Sequence, residues 1–139
     1  MSNKLGENQI DAHGNFYLDL KGNILCVEIM GAWNVEAMQA CAAAVAPVVA
    51  PLAGQKWASI FTIDYWEFPT PDTKKLGRKL IIQGAQFGLT REAIVCNEGL
   101  LKIEVIERNT PNIPDFIRKF FKTKQEAIVW LAEEGFDYL

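Results

Sequence analysis

The sequence predicts an α/β domain in which a mixed sheet of about five strands carries helices packed against it. Two adjacent segments with period-two alternation open the chain, short apolar runs then alternate with longer helical patterns, and a sharp capping signature starts the last helix. At 139 residues the chain has the length of one domain. No internal repeat, low-complexity tract or linker divides it, and residues 1–14 read as a partly ordered lead-in.

Phe16, Leu18 and Leu20 alternate with Tyr17 and Asp19, the period of a half-buried strand. Lys21-Gly22-Asn23 supplies turn chemistry, and Ile24 to Met30 is a second strand, so the chain opens as a hairpin. Gly31 ends that strand. Asn34 is a suitable helix N-cap because its side chain can accept from free amides of the first turn, where Glu36 also suits the helix dipole. The alanines from Ala37 to Ala46 favour a thin helix that can pack closely on a sheet. Pro47 is expected to kink or end it, and Pro51 with Gly54 to end it.

Trp57 to Ile63 is almost continuously apolar, as in a central strand covered on both faces. A loop is expected over Asp64-Tyr65-Trp66-Glu67-Phe68-Pro69. Thr70 then caps a helix with Pro71 at its first position, Asp72 in its first turn, a stripe of Leu76, Leu80, Ile81, Ala85 and Phe87, and Gly88 at its end. Ala93 to Cys96 is a short buried strand. Glu98 to Arg108 fits either a strand or a helix by periodicity. Phe116 to Phe121 is the last strand, and Thr123-Lys124-Gln125-Glu126 matches a capping box that opens a final helix buried through Ala127, Ile128, Trp130 and Leu131.

Composition narrows the function. Fourteen Lys and Arg against seventeen Asp and Glu leave a net charge of -3, with no global positive field to attract phosphate backbones, so nucleic-acid binding is disfavoured. The clusters Lys74, Lys75, Arg78, Lys79 and Arg118, Lys119, Lys122, Lys124 read as solvated faces of a helix and a strand. Cys26, Cys41 and Cys96 are far apart, with His13 the sole imidazole, which argues against a metal site or a disulfide framework and for buried reduced thiols. Met1 to Asn8 lacks the apolar core of a signal peptide, and the longest apolar run, Ala42 to Ala53, is short and holds Pro47 and Pro51. No transmembrane segment is therefore expected, and the reduced cytoplasm is the default compartment.

The order β-β-α-β-α-β, an ambiguous segment, then β-α resembles that of the SpoIIAA-like branch of the STAS superfamily, a bacterial group. Local patterns carry the same resemblance: Gly31 with Asn34-Val35-Glu36, Ala93-Ile94-Val95, and above all Arg118-Lys119-Phe120-Phe121 followed by Glu126-Ala127-Ile128-Val129-Trp130-Leu131. The resemblance spans roughly Phe16 to Leu131. It implies a helix over 98–108, hence the full order β-β-α-β-α-β-α-β-α. Anti-sigma-factor antagonists of that superfamily carry a phosphorylatable Ser in an Asp-Ser-x-Gly turn after the central strand. Here the stretch reads Asp64-Tyr65-Trp66-Glu67, with neither the Ser nor the Gly, so a kinase-driven partner switch of that kind is not implied.

No catalytic constellation stands out. His13 lies before the first strand, Asp64 and Glu67 are separated by aromatics, and no Gly-rich phosphate loop joins a strand to a helix. No enzyme activity and no cofactor are expected. The candidate binding surface is Trp33, Asn34, Asp64, Tyr65, Trp66 and Phe68, which follow two strands whose carboxyl ends would border one crevice if the strands are parallel neighbours. Those aromatics equally suit core packing over the sheet ends. The first expectation is thus a non-enzymatic interaction or regulatory module that docks a protein partner, or a second copy as a homodimer, through this surface. The alternative is a carrier or sensor of a small apolar ligand or lipid, held between the sheet and the first helix beneath Val45, Val48 and Val49.

Overall fold

The computed structural model describes residues 14–67, 70–97 and 99–139; His13 with the rest of the lead-in, and Phe68, Pro69 and Glu98, lie outside the described residues. Among the described residues, five strands and four α-helices follow one another as β1 Gly14–Lys21, β2 Ile24–Gly31, α1 Val35–Val49, β3 Trp57–Trp66, α2 Pro71–Gln86, β4 Leu89–Val95, α3 Leu100–Arg108, β5 Ile117–Phe121 and α4 Lys124–Glu133. Gly14, expected in the lead-in, is the first residue of β1.

The strands lie in the sheet in chain order, β1-β2-β3-β4-β5. β1 and β2 are antiparallel across the Gly22-Asn23 turn, and β2 to β5 are mutually parallel. Parallel neighbours need a crossover, and β4 and β5 are such a pair. That requirement selects the helix for 100–108, since a strand there would leave no crossover.

Each of the three crossovers steps one strand in the same direction, and connections of one hand then fall on one face. α1, α2 and α3 accordingly share a face, packed on a core that runs from Phe16, Leu25 and Val27 through Trp57 and Ile94. α4 covers the other face, where Ala127, Trp130 and Leu131 meet Ile24, Ile60 and Val95. Ala58, Ile60 and Ile63 are buried along β3, as a strand covered on both sides requires.

The capping expectations hold. Asn34 Oδ1 accepts from the Ala37 amide at 2.9 Å, Thr70 Oγ1 from the Thr73 amide at 3.3 Å, and Thr123 and Glu126 close a reciprocal capping box. Each satisfies amides that a helix start leaves without partners.

Three further features differ from expectation. Pro47 does not end α1, which runs to Val49 and continues as a 3-10 turn over Ala50–Leu52. Pro47 sits in the last turns on the exposed side, where water can satisfy the carbonyl its missing N–H leaves free. The helical run Val35–Leu52 is consequently long and apolar enough to cross a membrane by length and composition alone, although here its inner face packs on the sheet. Second, Asp64, Tyr65 and Trp66 belong to β3 and not to a loop, because Tyr65 and Trp66 still pair with Met30 and Gly31 of β2. Third, Arg118 is not on a solvated strand face: its side chain is buried against Glu92.

Gly22 shows how tightly the hairpin is held. Its φ is +63°, and a Cβ there would stand 2.2 Å from the Asp137 carbonyl oxygen, while the Asp137 amide donates to Asn23 Oδ1 at 3.0 Å. Gly22→Ala is expected to cost upward of about 1 kcal/mol from the backbone alone, with the displaced carboxy-terminal segment adding to it. Urea unfolding of the variant, with a lowered midpoint and unchanged slope, checks this.

Candidate functional site

β2 and β3 are parallel neighbours, so the residues after them do border one end of the sheet. The aromatics there part company. Trp33 is 4% exposed, donates its indole N–H to the Met30 carbonyl at 2.8 Å, and meets the Phe16 ring edge-on at 6.0 Å. Trp66 is 6% exposed in the same core, and among the described residues its buried indole nitrogen has no hydrogen-bond partner. Tyr65 alone of these three projects, at 73% exposure.

The cause is a bulge. Between Glu28↔Thr62 and Met30↔Tyr65 the register slips by one residue, so β3 places two residues opposite Ile29. A single extra residue inverts the side-chain alternation beyond it. Ile63 and Trp66 therefore face the same core, and Tyr65 is turned out. The expected aromatic docking patch of Trp33, Tyr65, Trp66 and Phe68 is thus corrected: both tryptophans complete the core, Phe68 lies outside the described residues, and Asn34 is occupied in capping α1. Asp64 Oδ1 accepts from the Asn97 amide at 2.6 Å, tying the ends of β3 and β4. It also borders a polar recess of about 540 Å³ on the α4 face, with Glu28, Thr62, Lys122 and Lys124.

A second, apolar recess of about 500 Å³ lies between α1, α2 and the sheet. Cys41, Ala42, Val45 and Val49 of α1 form one wall, and Leu80, Ile81, Gly84 and Phe87 the other. Ala42, Ala46 and Gly84 are small residues in these walls, and Trp57 and Phe61 of β3 line the recess from the sheet. Val48, expected among its lining residues with Val45 and Val49, is buried in the core instead. Burial pushes the Cys41 thiol up to about 12, so it is a neutral, nearly apolar part of the wall. Cys26 and Cys96 are likewise buried.

The floor of this recess is polar at one point. Glu92 of β4 is 1% exposed, and so is Ser59 of β3. Ser59 Oγ donates to Glu92 Oε2 at 3.0 Å. Arg118 Nε of β5 donates to Glu92 Oε1 at 2.7 Å, and Nη2 lies in ion-pair contact with the same oxygen at 2.6 Å. Arg118 Nη1 donates to Thr110 Oγ1 at 2.8 Å, and Thr110 in turn donates to the Ile106 carbonyl at 2.8 Å. A smaller cavity of about 150 Å³, between α2, α3 and the sheet, adjoins the recess across Ile29, Met38, Phe61 and Glu92.

Sequence reasoning missed Ser59, Glu92 and Arg118. A signal existed: Glu92 alternates with Ile94 and Cys96, which places a carboxylate on a covered face, and a buried carboxylate needs a cation. Among the described residues, no cluster of three or more His, Cys, Asp or Glu could hold a metal ion.

The five-stranded sheet with its helices is a SpoIIAA-like α/β fold. A crystal structure of an uncharacterised DUF3478-family protein with a SpoIIAA-like fold, from Shewanella loihica PV-4, is similar to this chain with a TM-score of 0.65 and 17% identity, over 91% of this chain and 99% of that one. No family model matches the sequence, and no curated protein matches it.

The buried pair makes a stability prediction. Arg118→Met is expected to cost about 3–5 kcal/mol, because it leaves a buried carboxylate without its cation. Glu92→Leu combined with Arg118→Met is expected to recover most of that loss, since two apolar side chains leave no charge to solvate. Unfolding midpoints of the two variants beside the parent chain decide it.

Proposed function

We propose that this protein is a non-enzymatic binding module that holds a small apolar ligand or lipid in the recess between α1, α2 and the sheet, as a carrier or sensor. The observation that carries this reading is the recess itself, about 500 Å³ bounded almost wholly by aliphatic and aromatic side chains. Protein interiors are close-packed and hold few voids larger than a water. Space of this size matches that of ligand sites, which are mostly apolar with a few placed polar groups.

Straight-chain apolar ligands are expected to raise the melting temperature. A ligand present at a hundred times its Kd adds about 2.7 kcal/mol, a rise of roughly 10 °C for a chain of this length. Ala42→Phe, which projects a ring into the recess from α1, is expected to remove that rise while leaving the ligand-free midpoint within a few degrees. A rise that persists in a folded Ala42→Phe protein would place the ligand elsewhere.

A second reading, docking of a protein partner or a second copy, rests on a different surface. Tyr65, Leu100 and Leu101 are 73%, 84% and 65% exposed. Lys102 Nζ donates to the Asp64 carbonyl at 3.2 Å, which holds the start of α3 beside Tyr65. Three large apolar side chains at one end of a sheet suit a contact. Tyr65→Ser with Leu100→Ser is expected to leave stability within about 0.5 kcal/mol, as for other exposed positions, while weakening self-association or partner capture in sedimentation velocity. An unchanged sedimentation profile at all concentrations would remove self-docking through this surface.

A further inference from the structure

Building on the reading that an apolar ligand occupies the α1/α2 recess, we infer that the ligand is a fatty carboxylate whose anionic head is held in the adjoining cavity by the indole N–H of Trp66 with Lys74 and Arg78 of α2. Trp66 lines that cavity and is 6% exposed, and among the described residues its buried Nε1 has no hydrogen-bond partner. A buried donor without an acceptor carries the full cost of its lost hydration, and folded proteins hold few of them. An acceptor supplied by a ligand removes that cost.

The other polar groups that line the cavity indicate the charge of that acceptor. Thr73 Oγ1 donates to the Thr70 carbonyl and Asn109 Nδ2 to the Lys74 carbonyl, each at 2.8 Å. The Arg118 guanidinium is spent on Glu92, Thr110 and the Ile106 carbonyl. Glu92 accepts from Arg118 on one oxygen and from Ser59 on the other, so its charge is matched within the sheet. Lys74 and Arg78 remain. They stand about one turn apart on α2, hence on one side of the helix, and both line the cavity. Arg78 Nη1 donates to the Asn109 carbonyl at 3.4 Å, and among the described residues neither cation has an acidic partner.

An unmatched donor and two unmatched cations thus border one small space. A carboxylate has two oxygens, enough to accept from the buried N–H and from a cation nearer the solvent, and bonds to an ionised acceptor are the stronger kind. At about 150 Å³ the cavity holds several times the volume one water needs, room for such a head. It shares Ile29, Met38, Phe61, Leu80, Ile81 and Glu92 with the larger recess, so a hydrocarbon chain leaving it has the apolar recess beside it. Met38 stands at that boundary, an unbranched and adaptable side chain whose end lies near Gly77 of α2.

The test is a series of one chain length, octanoate, octanol and octylamine, titrated below micelle formation at neutral pH and low salt and read by calorimetry. Octanoate is expected to bind at least about tenfold more tightly than octylamine, since a hydrogen bond to a charged group is worth that factor or more, with octanol between them. Lys74→Met combined with Arg78→Met changes two side chains that reach solvent, and in that variant octanoate is expected to lose its lead over octanol. Trp66→Phe keeps a ring in the core and deletes the N–H. It is expected to weaken octanoate and octanol by about fivefold or more and to leave octylamine, which brings donors only, unchanged; a loss through altered packing would weaken all three alike. Octanol binding with no preference for octanoate, or a preference that persists in both folded variants, would overturn the inference and leave the apolar recess standing. Binding by none of the three would overturn both.

Discussion

Placing β2, β3, β4 and β5 side by side in chain order, all parallel, commits three successive crossovers to one face of the sheet. The rest of the architecture follows. Three helices must share the width of one sheet, and a recess of about 500 Å³ lies between α1, α2 and the strands beneath them. The opposite face is left to the single helix after β5. With ten residues, α4 covers only part of that face, and a polar recess remains beyond its start at Lys122 and Lys124.

Within that frame, Glu92 is the residue whose position has most consequence. Burying a carboxylate is costly unless it is paired and hydrogen-bonded, and here a guanidinium and a hydroxyl from the two flanking strands supply both. The three side chains come from β3, β4 and β5, so the pair also ties the sheet's far half together. A hydrophobic trio of similar volume would be at least as stable by the usual accounting. The polar arrangement instead sets a buried ion pair beside an otherwise apolar space.

The bulge in β3 acts on a smaller scale with a comparable effect. One extra residue opposite Ile29 lets β3 deliver Trp66 to the core after Ile63, and rotates Tyr65 to the surface near Leu100 and Leu101. The carboxyl end of β3 is thus capped by a buried indole, with one phenol exposed beside it.

Read alone, the sequence determined the order and type of the elements and their helix caps, since these depend on local patterns: alternation in Phe16 to Leu20, the Asn34 and Thr70 caps, the capping box at Thr123. The helix at Leu100–Arg108 was ambiguous by period and was decided by the parallel pairing of β4 and β5, a contact between distant segments. Tertiary structure alone also decided which aromatics are buried, because a one-residue register slip reverses sidedness without a mark in the composition. The meeting of Ser59, Glu92 and Arg118 was equally out of reach: alternation can put each on a face, but only the lateral register of three strands brings a hydroxyl, a carboxylate and a guanidinium within bonding distance beneath the gap between α1 and α2.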